Sequence, residues 1–250
     1  DTEREASAVI EAALWAMHFT PQVSLLQDGL LMEVSASLRL FDGRDALVQR
    51  LRDGVLELGL TPHMASAPTA TAAWLFARQG DALHGDSATF TALLERLPVN
   101  SLVSVQPHLE TLEAIGCRTI GQLCRLPRTG ITRRFGKAVL TELDRALGAE
   151  PELHAWYEPP ATLCARLELS ARVDSTEALL FAARRLLMQM TGWLVARHSA
   201  VSRFSLLLHH ETVRHRTNSM TPVTITLGSA SRDLAHLMLL LQEHLAKIVL

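Results

Sequence analysis

Glycine and proline interrupt the segment from residue 88 to residue 148 at short intervals, and this constrains the fold more than any other feature of the sequence. The interruptions are Gly116, Gly121, Pro127, Gly130, Gly136 and Gly148. Proline breaks a helix interior and glycine weakens it, while both are common in turns. The segment is therefore predicted to be all-helical, with short helices joined by tight turns, and one long helix is excluded.

Positive charge is concentrated in the same segment. Residues 116–147 carry seven basic and two acidic side chains, whereas the whole 250-residue chain has a formal net charge of −2. Within it, LCRLPRTGITRRFGKAVLTELDRAL (residues 123–147) predicts a helix that ends at Leu126-Pro127, a hairpin at Gly130-Ile131 and a second helix from about Thr132. This is a helix-hairpin-helix pattern.

Such a hairpin suits one phosphate, because the amides at a helix start attract anions and glycine allows close backbone approach. A weaker second hairpin, LEAIGCRTIGQL, precedes it. Backbone contacts of this kind position a DNA duplex without reading its sequence. The predicted contacts are Arg118, Thr119, Gly121, Arg128, Gly130, Thr132, Arg133, Arg134 and Lys137. The alternative is a plain helical turn with a solvated basic face.

The N-terminal part of the chain predicts a helix, two strands, a helix, a strand and a helix. Asp28-Gly29 lies between two apolar runs, which is typical of a hairpin. Helices are expected over residues 1–17, 45–59 and 69–79, and a short strand ends at Pro68. This order matches most of a ferredoxin-like βαββαβ unit without its first strand. A linker rich in Gly and Asp follows at 79–87.

The C-terminal part alternates apolar and polar residues with period 2 in LCARLEL (163–169), VSRFSLLLH (201–209) and TPVTITL (221–227). Strands are expected there, with one face in the core and the other in water. One helix, capped by Asp174, separates the first two strands, and another starts at Ser231, which makes a βαββα series. The water-facing residues predicted to contact DNA are Arg166, Arg203, Thr224 and Thr226.

The predicted fold class is thus α+β in three domains. They are an incomplete palm-like unit at 1–80, a helix-hairpin-helix unit at 81–157 and a βαββα unit at 158–250. A strand that completes the third unit is expected after Leu250. Glu158-Pro159-Pro160 marks the second boundary, because a residue before proline avoids the helical region.

Residues that could carry catalysis are few. Asp28 is the only carboxylate of the first unit placed like a metal ligand, and a simple turn role explains it as well. The histidines have no ligand spacing, and no Gly-rich phosphate loop is present. No metal or cofactor is therefore expected. No CxxC pair occurs among the three cysteines, Cys117, Cys124 and Cys164. The sequence also has no apolar run long enough to span a membrane. A cytoplasmic protein is therefore expected.

Three segments together resemble the Y-family (translesion) DNA polymerases. FTPQVSLLQDGLLMEVSASLRLFDG and GLTPHMASAPTATAAWLFAR resemble the palm of these enzymes, the basic helical segment resembles their thumb, and residues 161–250 resemble their little finger. SLRLFDG, APTATAAWLFAR and LPRTGITRRFG are more narrowly similar to the ImuB class, the polymerase-like subunit of the bacterial mutasome.

The departures from the family pattern concern the catalytic centre. The palm hairpin of active members reads S-x-D-E-A-x-L-D, so Asp28 matches a metal-binding Asp, but Gly29 replaces the adjacent Glu. The family's N-K-x-L-A-K, whose first Lys lies by the incoming triphosphate, corresponds to residues 69–74, with Ala70 and Trp74 at the two Lys positions. The resemblance therefore implies a polymerase fold in which Asp28 is a remnant.

By this resemblance the chain is expected to be a DNA-binding, catalytically degenerate adaptor in error-prone translesion synthesis and DNA damage tolerance. The partners implied are DNA, the sliding clamp, a RecA-like accessory protein and an error-prone polymerase. The pentapeptide QVSLL (22–26) has the look of a clamp-binding motif, but its place in a predicted strand favours a core role. Two alternatives stay open: an active, magnesium-dependent lesion-bypass polymerase, and a protein-interaction scaffold that makes no DNA contact.

Overall fold

The computed structural model describes residues 2–80, 82–83, 87–169, 173, 175–210 and 220–247. Helices in this part of the chain are α1 (Thr2–Ala16), α2 (Arg44–Glu57), α3 (Ala70–Ala77), α4 (Ser87–Arg96), α5 (Leu109–Ala114), α6 (Ile120–Cys124), α7 (Arg128–Phe135), α8 (Lys137–Leu147), α9 (Thr176–Ala196) and α10 (Leu234–Leu245). Strands are β1 (Val23–Leu25), β2 (Leu30–Met32), β3 (Ala65–Ser66), β4 (Ala82–Leu83), β5 (Val201–His209) and β6 (Met220–Ser231). The expected mixture of helices and strands is confirmed.

The chain divides into two compact units, residues 61–154 and a unit built from 1–60 together with 155–250. The three-domain division expected from the sequence stays a prediction. Helix α3, which the sequence assigns to the palm-like segment, belongs to the 61–154 unit. There the Thr69 hydroxyl caps α3 by accepting from the Ala72 amide, and it donates to the Ala146 carbonyl at 2.9 Å.

The 61–154 unit is a cluster of short helices around one apolar core, as the glycine and proline spacing predicts. The buried side chains of this core include Leu75, Leu94, Leu102, Leu112, Ile120, Leu123, Ile131 and Val139. Packing of α4 on α6 is close at Gly121, where an added Cβ would lie 2.9 Å from the Glu95 Cβ. A larger residue at this position would push the two helices apart.

Strands β1 and β2 form the predicted antiparallel hairpin in the other unit. Leu25 pairs with Leu30, and the Leu26 amide donates to the Gly29 carbonyl at 2.9 Å. The tip is therefore Gln27-Asp28, one residue earlier than the Asp28-Gly29 tip that the sequence suggests. Val23 and Ser24 are buried, so the segment 22–26 contributes to the core as expected.

The predicted ferredoxin-like sheet is not formed among the described residues. The six strands make three separate two-stranded sheets. Strand β3 pairs in parallel with β4 and not with the hairpin, and β4 lies inside the predicted 79–87 linker. A physical reason is that the first strand of a βαββαβ unit lies between the hairpin and the last strand, and the predicted unit lacks this strand. Without it the two parts have no common partner.

In the unit that contains the C-terminal half, β5 and β6 form an antiparallel ladder with α9 and α10 on one face. The buried side chains between these layers include Ala183, Leu187, Val223, Ile225, Leu227, Leu237 and Leu241. The period-2 prediction for both strands is confirmed. On its other side α9 packs against α1 at Gly192, where any side chain would overlap the Leu14 carbonyl.

Three details of this C-terminal prediction differ from the structure. Residues 163–169 form no strand with any described residue, although exposure still alternates from residue 163 to residue 168; Leu169 is exposed. Alternation requires only one buried face, whereas a strand also needs the edge of a neighbour. Ser175 caps α9, and the predicted cap, Asp174, lies outside the described residues. Helix α10 starts after Asp233, because β6 continues through Ser231.

None of the helices in the described part of the chain combines the length and the apolar content needed to cross a lipid bilayer.

Candidate nucleic-acid interface

The first helix-hairpin-helix turn joins α5 to α6, and the amides of residues 116–119 are all hydrogen-bonded inside the protein. Gly116 has a positive φ of 73°, and its amide donates to the Glu113 carbonyl at 2.9 Å. The Cys117 amide donates to the Leu112 carbonyl at 2.8 Å. The Gln122 side-chain oxygen accepts from the Arg118 amide at 2.7 Å and from the Thr119 amide at 3.1 Å.

A reciprocal capping box completes this arrangement, because the Thr119 hydroxyl accepts from the Gln122 amide at 3.2 Å. The amides of residues 116–120 and 122 are therefore not available to a phosphate. Of the residues predicted here, Arg118 is exposed, Thr119 is half-buried and engaged in the cap, and Gly121 is buried under α4. Gly121 thus has a packing role, and only the Arg118 side chain faces solvent fully.

The second turn joins α7 to α8 at Gly136, and the predicted hairpin at Gly130-Ile131 is wrong. Helix α7 begins directly after Pro127 and contains both Gly130 and Thr132. The chain reverses at Gly136, whose φ of 88° favours glycine. Proline is compatible with the start of a helix, so α7 can begin directly after Pro127, which separates it from α6.

No side chain caps α8, in contrast to α6. Its first residues, Lys137 and Ala138, are exposed. The free amides of a helix start carry partial positive charge. The feature that the sequence assigned to Gly130, an open helix start beside cations, therefore lies at Gly136.

Three exposed cations surround this turn. Arg133 and Arg134 occupy the last turn of α7, and Lys137 is the first residue of α8. None of the three forms an ion pair within the described residues. Arg125, at the end of α6, is also exposed and unpaired in that part of the chain, and sequence reasoning missed it. Its only signal is its place inside the basic segment 116–147.

Arg128, another predicted contact, is held by a carboxylate. Its two terminal nitrogens each donate to one oxygen of Asp144, with a distance of 2.9 Å between Nη1 and Oδ1. Thr132 is exposed, and its hydroxyl donates to the Arg128 carbonyl at 3.1 Å. Gly130 is half-buried within α7.

A second polar surface is the outer face of the β5–β6 ladder. Arg203 lies opposite Thr226 and donates from Nε to its hydroxyl at 3.2 Å, and Ser205 lies opposite Thr224 with 2.9 Å between the hydroxyls. All four side chains are exposed, so the predicted solvent face is confirmed. Arg166 is exposed but lies outside the ladder, and it pairs with Glu168 at 3.5 Å.

The hairpin tip that carries Asp28 is exposed. Within the described residues no group of three or more His, Cys, Asp or Glu side chains could hold a metal ion. Burial raises the pKa of the Cys117 and Cys124 thiols, which disfavours a thiolate nucleophile.

The start of α3, which corresponds to the family's N-K-x-L-A-K motif, is occupied by an internal anion. Both oxygens of the Glu152 carboxylate accept from the Thr71 amide, at 3.0 and 3.1 Å. The carboxylate is 11% exposed, and the His154 ring lies 3.2 Å from it. The Thr71 and Ala72 amides at this helix start are therefore already satisfied, by Glu152 and Thr69 respectively.

Two curated proteins are similar to the chain along almost its entire length. The ImuB proteins of Caulobacter vibrioides strains NA1000 / CB15N and ATCC 19089 / CIP 103742 / CB 15 are each 30% identical over 242 residues, which is 95% of this chain. The chain spans about half (52%) of the length of these relatives. No protein-family model matches it. A solved ternary complex of Dbh is similar with 14% identity and a TM-score of 0.45, over 95% of this chain and 73% of that one.

Proposed function

The chain is an ImuB-like protein over the part that it spans, and from this premise we propose that it is a DNA-binding, polymerase-like adaptor of the Y-family type. In this role it acts in error-prone translesion synthesis and DNA damage tolerance without polymerase activity of its own. The proposal includes the correspondence of residues 81–157 to a helix-hairpin-helix thumb and of 158–250 to a little finger.

One observation carries the DNA contact, namely the open turn between α7 and α8. Arg133, Arg134 and Lys137 are exposed, and they surround a helix start that no side chain caps. Cations and amides grouped in this way suit the phosphates of a nucleic-acid backbone, and they carry no information about the bases. The exposed Arg203, Thr224 and Thr226 on the β5–β6 ladder supply a second surface of the same kind.

Binding to a primer-template measured against salt concentration tests this contact. The logarithm of the binding constant falls linearly with the logarithm of the salt concentration, and each lost phosphate contact flattens this log–log slope by about 0.9 for duplex DNA. We expect this change for Arg133→Ala and for Arg134→Ala. Arg78→Ala is the matched control, since it removes an exposed arginine from the same unit but outside residues 116–147. A wild-type slope near zero would contradict DNA binding and favour the scaffold alternative.

Three features support the absence of polymerase activity. Gly29 stands where active members have a carboxylate beside Asp28, and Ala70 and Trp74 stand at the two lysine positions. At the start of α3, Glu152 already occupies the amide that would otherwise face an anion. A triphosphate at this point would have to displace a carboxylate and would find no lysine. Electrostatic stabilisation of phosphoryl transfer would be lost together with the metal ligand.

Primer extension by the full-length protein with Mg²⁺ tests this part of the proposal. We expect no template-dependent incorporation by the wild type. Incorporation that Asp28→Ala abolishes would establish the active-polymerase alternative and contradict the proposal. Asp53→Ala is the control, because Asp53 is an exposed carboxylate of the same unit that lies outside the family motif.

The sliding clamp, a RecA-like accessory protein and an error-prone polymerase are proposed as partners on the resemblance to the ImuB class. The pentapeptide at 22–26 does not support the clamp contact, because Val23 and Ser24 are buried in the hairpin. Pull-down of each purified partner by the full-length protein tests the three interactions separately.

A further inference from the structure

The ion pair between Arg128 and Asp144 removes one cation from the surface of the basic segment 116–147, where it joins the start of α7 to the last part of α8. Both terminal nitrogens of Arg128 donate to the two oxygens of Asp144, so the pair has the planar, bidentate geometry that arginine also uses for phosphate. Both terminal nitrogens of the Arg128 guanidinium are therefore engaged by a carboxylate of the same chain.

The two partners differ in their exposure. The Asp144 side chain is 15% exposed and that of Arg128 is 62% exposed. If Arg128 moved to a phosphate, it would leave a mostly buried carboxylate without its counter-charge, which is costly. The hydrogen bond to Asp144, followed by the charge of Asp144, also raises the pKa of Arg128.

The neighbouring cations provide the contrast. Arg133, Arg134 and Lys137 are exposed and form no ion pair in the described part of the chain. All four cations lie within ten residues of one another, and the sequence alone ranks them equally. Only the position of Asp144, sixteen residues after Arg128 on the packed helix α8, separates Arg128 from the rest.

We propose that Asp144 withholds Arg128 from DNA, so that Arg128 ties α7 to α8 as a positioning residue while the phosphates are bound by Arg133, Arg134 and Lys137. This inference rests on the proposed function. Asp144 thereby sets how many phosphate contacts the basic segment 116–147 makes, and loss of its charge adds one contact.

The test is a double-mutant cycle on primer-template binding against salt. We expect Asp144→Asn to steepen the log–log slope by about 0.9, the value of one duplex phosphate contact. Arg128→Ala leaves the slope at its wild-type value, because Arg128 makes no phosphate contact. In the Arg128→Ala background, Asp144→Asn has no effect on the slope.

This last comparison separates release of Arg128 from a general effect of charge. Loss of any negative charge near DNA strengthens binding, and such an effect would be equal in both backgrounds. Glu113→Gln is the matched control, since it removes an exposed carboxylate from the same unit that forms no ion pair among the described residues. We expect it to leave the slope unchanged.

The possible failures can be distinguished. A wild-type slope near zero contradicts the proposed function itself. A steep wild-type slope that Arg128→Ala flattens by about 0.9 overturns only the present inference, because Arg128 would then be a phosphate contact. A steep slope that is the same in the wild type and in folded Asp144→Asn also overturns it. If Asp144→Asn fails to fold, as thermal melting would reveal, the result of Arg128→Ala decides the question.

Discussion

The two helix-hairpin-helix turns carry the same signature of glycine beside cations, yet their backbones are in opposite states. At the α5–α6 turn, the Arg118 and Thr119 amides donate to the Gln122 side chain. At the α7–α8 turn, no side chain caps the helix start that follows Gly136. The first turn is closed by its own cap, and the second is open to an external anion.

The difference arises from one local choice of residues. The first turn is followed by Thr-Ile-Gly-Gln, which supplies a hydroxyl at the N-cap position and an amide side chain three residues later. The second is followed by Lys-Ala-Val after a glycine, and none of these can cap a helix. The chain turns at Gly116 and Gly136, which have positive φ, and not at Gly121 or Gly130, which lie inside helices. The cap that follows the turn decides whether the turn can bind a ligand.

The largest expected effect is loss of DNA affinity when the open turn loses its cations. Arg133→Ala combined with Arg134→Ala removes two phosphate contacts, which flattens the slope by about 1.8 and weakens binding at 50 mM salt by roughly a hundredfold. Arg118→Ala, at the closed turn, removes at most one contact and has a smaller effect. Fluorescence anisotropy titrations over several salt concentrations measure both. An equal or larger effect of Arg118→Ala would show that the comparison of the two turns is wrong.

A second pair of variants tests where the second turn lies. Gly136 has a φ of 88°, so Gly136→Ala is expected to lower the free energy of unfolding by about 1–2 kcal/mol. Gly130 lies inside α7, where an added Cβ would make only an ordinary contact with Pro127. Gly130→Ala is therefore expected to raise the free energy of unfolding by about 0.5–1 kcal/mol. Chemical denaturation measures both. The reverse result, in which Gly130→Ala lowers the free energy of unfolding and Gly136→Ala does not, would place the hairpin at Gly130 after all.

Much of the fold follows from local patterns in the sequence. Asp28 and Gly29 between apolar runs predict the hairpin, and the period-2 runs predict β5 and β6 together with the face that Arg203 and Thr226 share. Frequent glycine and proline predict the short helices of the 61–154 unit. In each case the deciding interaction joins residues that are close in sequence or lie on neighbouring strands.

The features that the sequence does not reveal depend on distant contacts. Residues 163–169 alternate like a strand but have no neighbouring edge in the described part of the chain. Glu152 binds the amide of Thr71, eighty-one residues away, and nothing in the sequence connects the two. Asp144 selects Arg128 from several similar arginines only after α7 has packed on α8. The sequence therefore places the candidate site to within about six residues, at Gly130 instead of Gly136, and only the structure shows which donors are available there.

The smallest expected effect comes from opening the closed turn. Gln122→Ala removes the acceptor of the Arg118 and Thr119 amides, so the free energy of unfolding is expected to fall by about 1 kcal/mol, a typical value for a helix cap. The salt slope of DNA binding should not change, because amides carry no net charge and release no counterion. Denaturant titration and anisotropy measure the two quantities on the same preparation. Gln106→Ala is the control, since Gln106 is also exposed in this unit but caps no helix, bonding the Asn100 carbonyl instead. Unchanged stability in Gln122→Ala would mean that the capping box does not close the turn, and the contrast between the two turns would then depend on their cations alone.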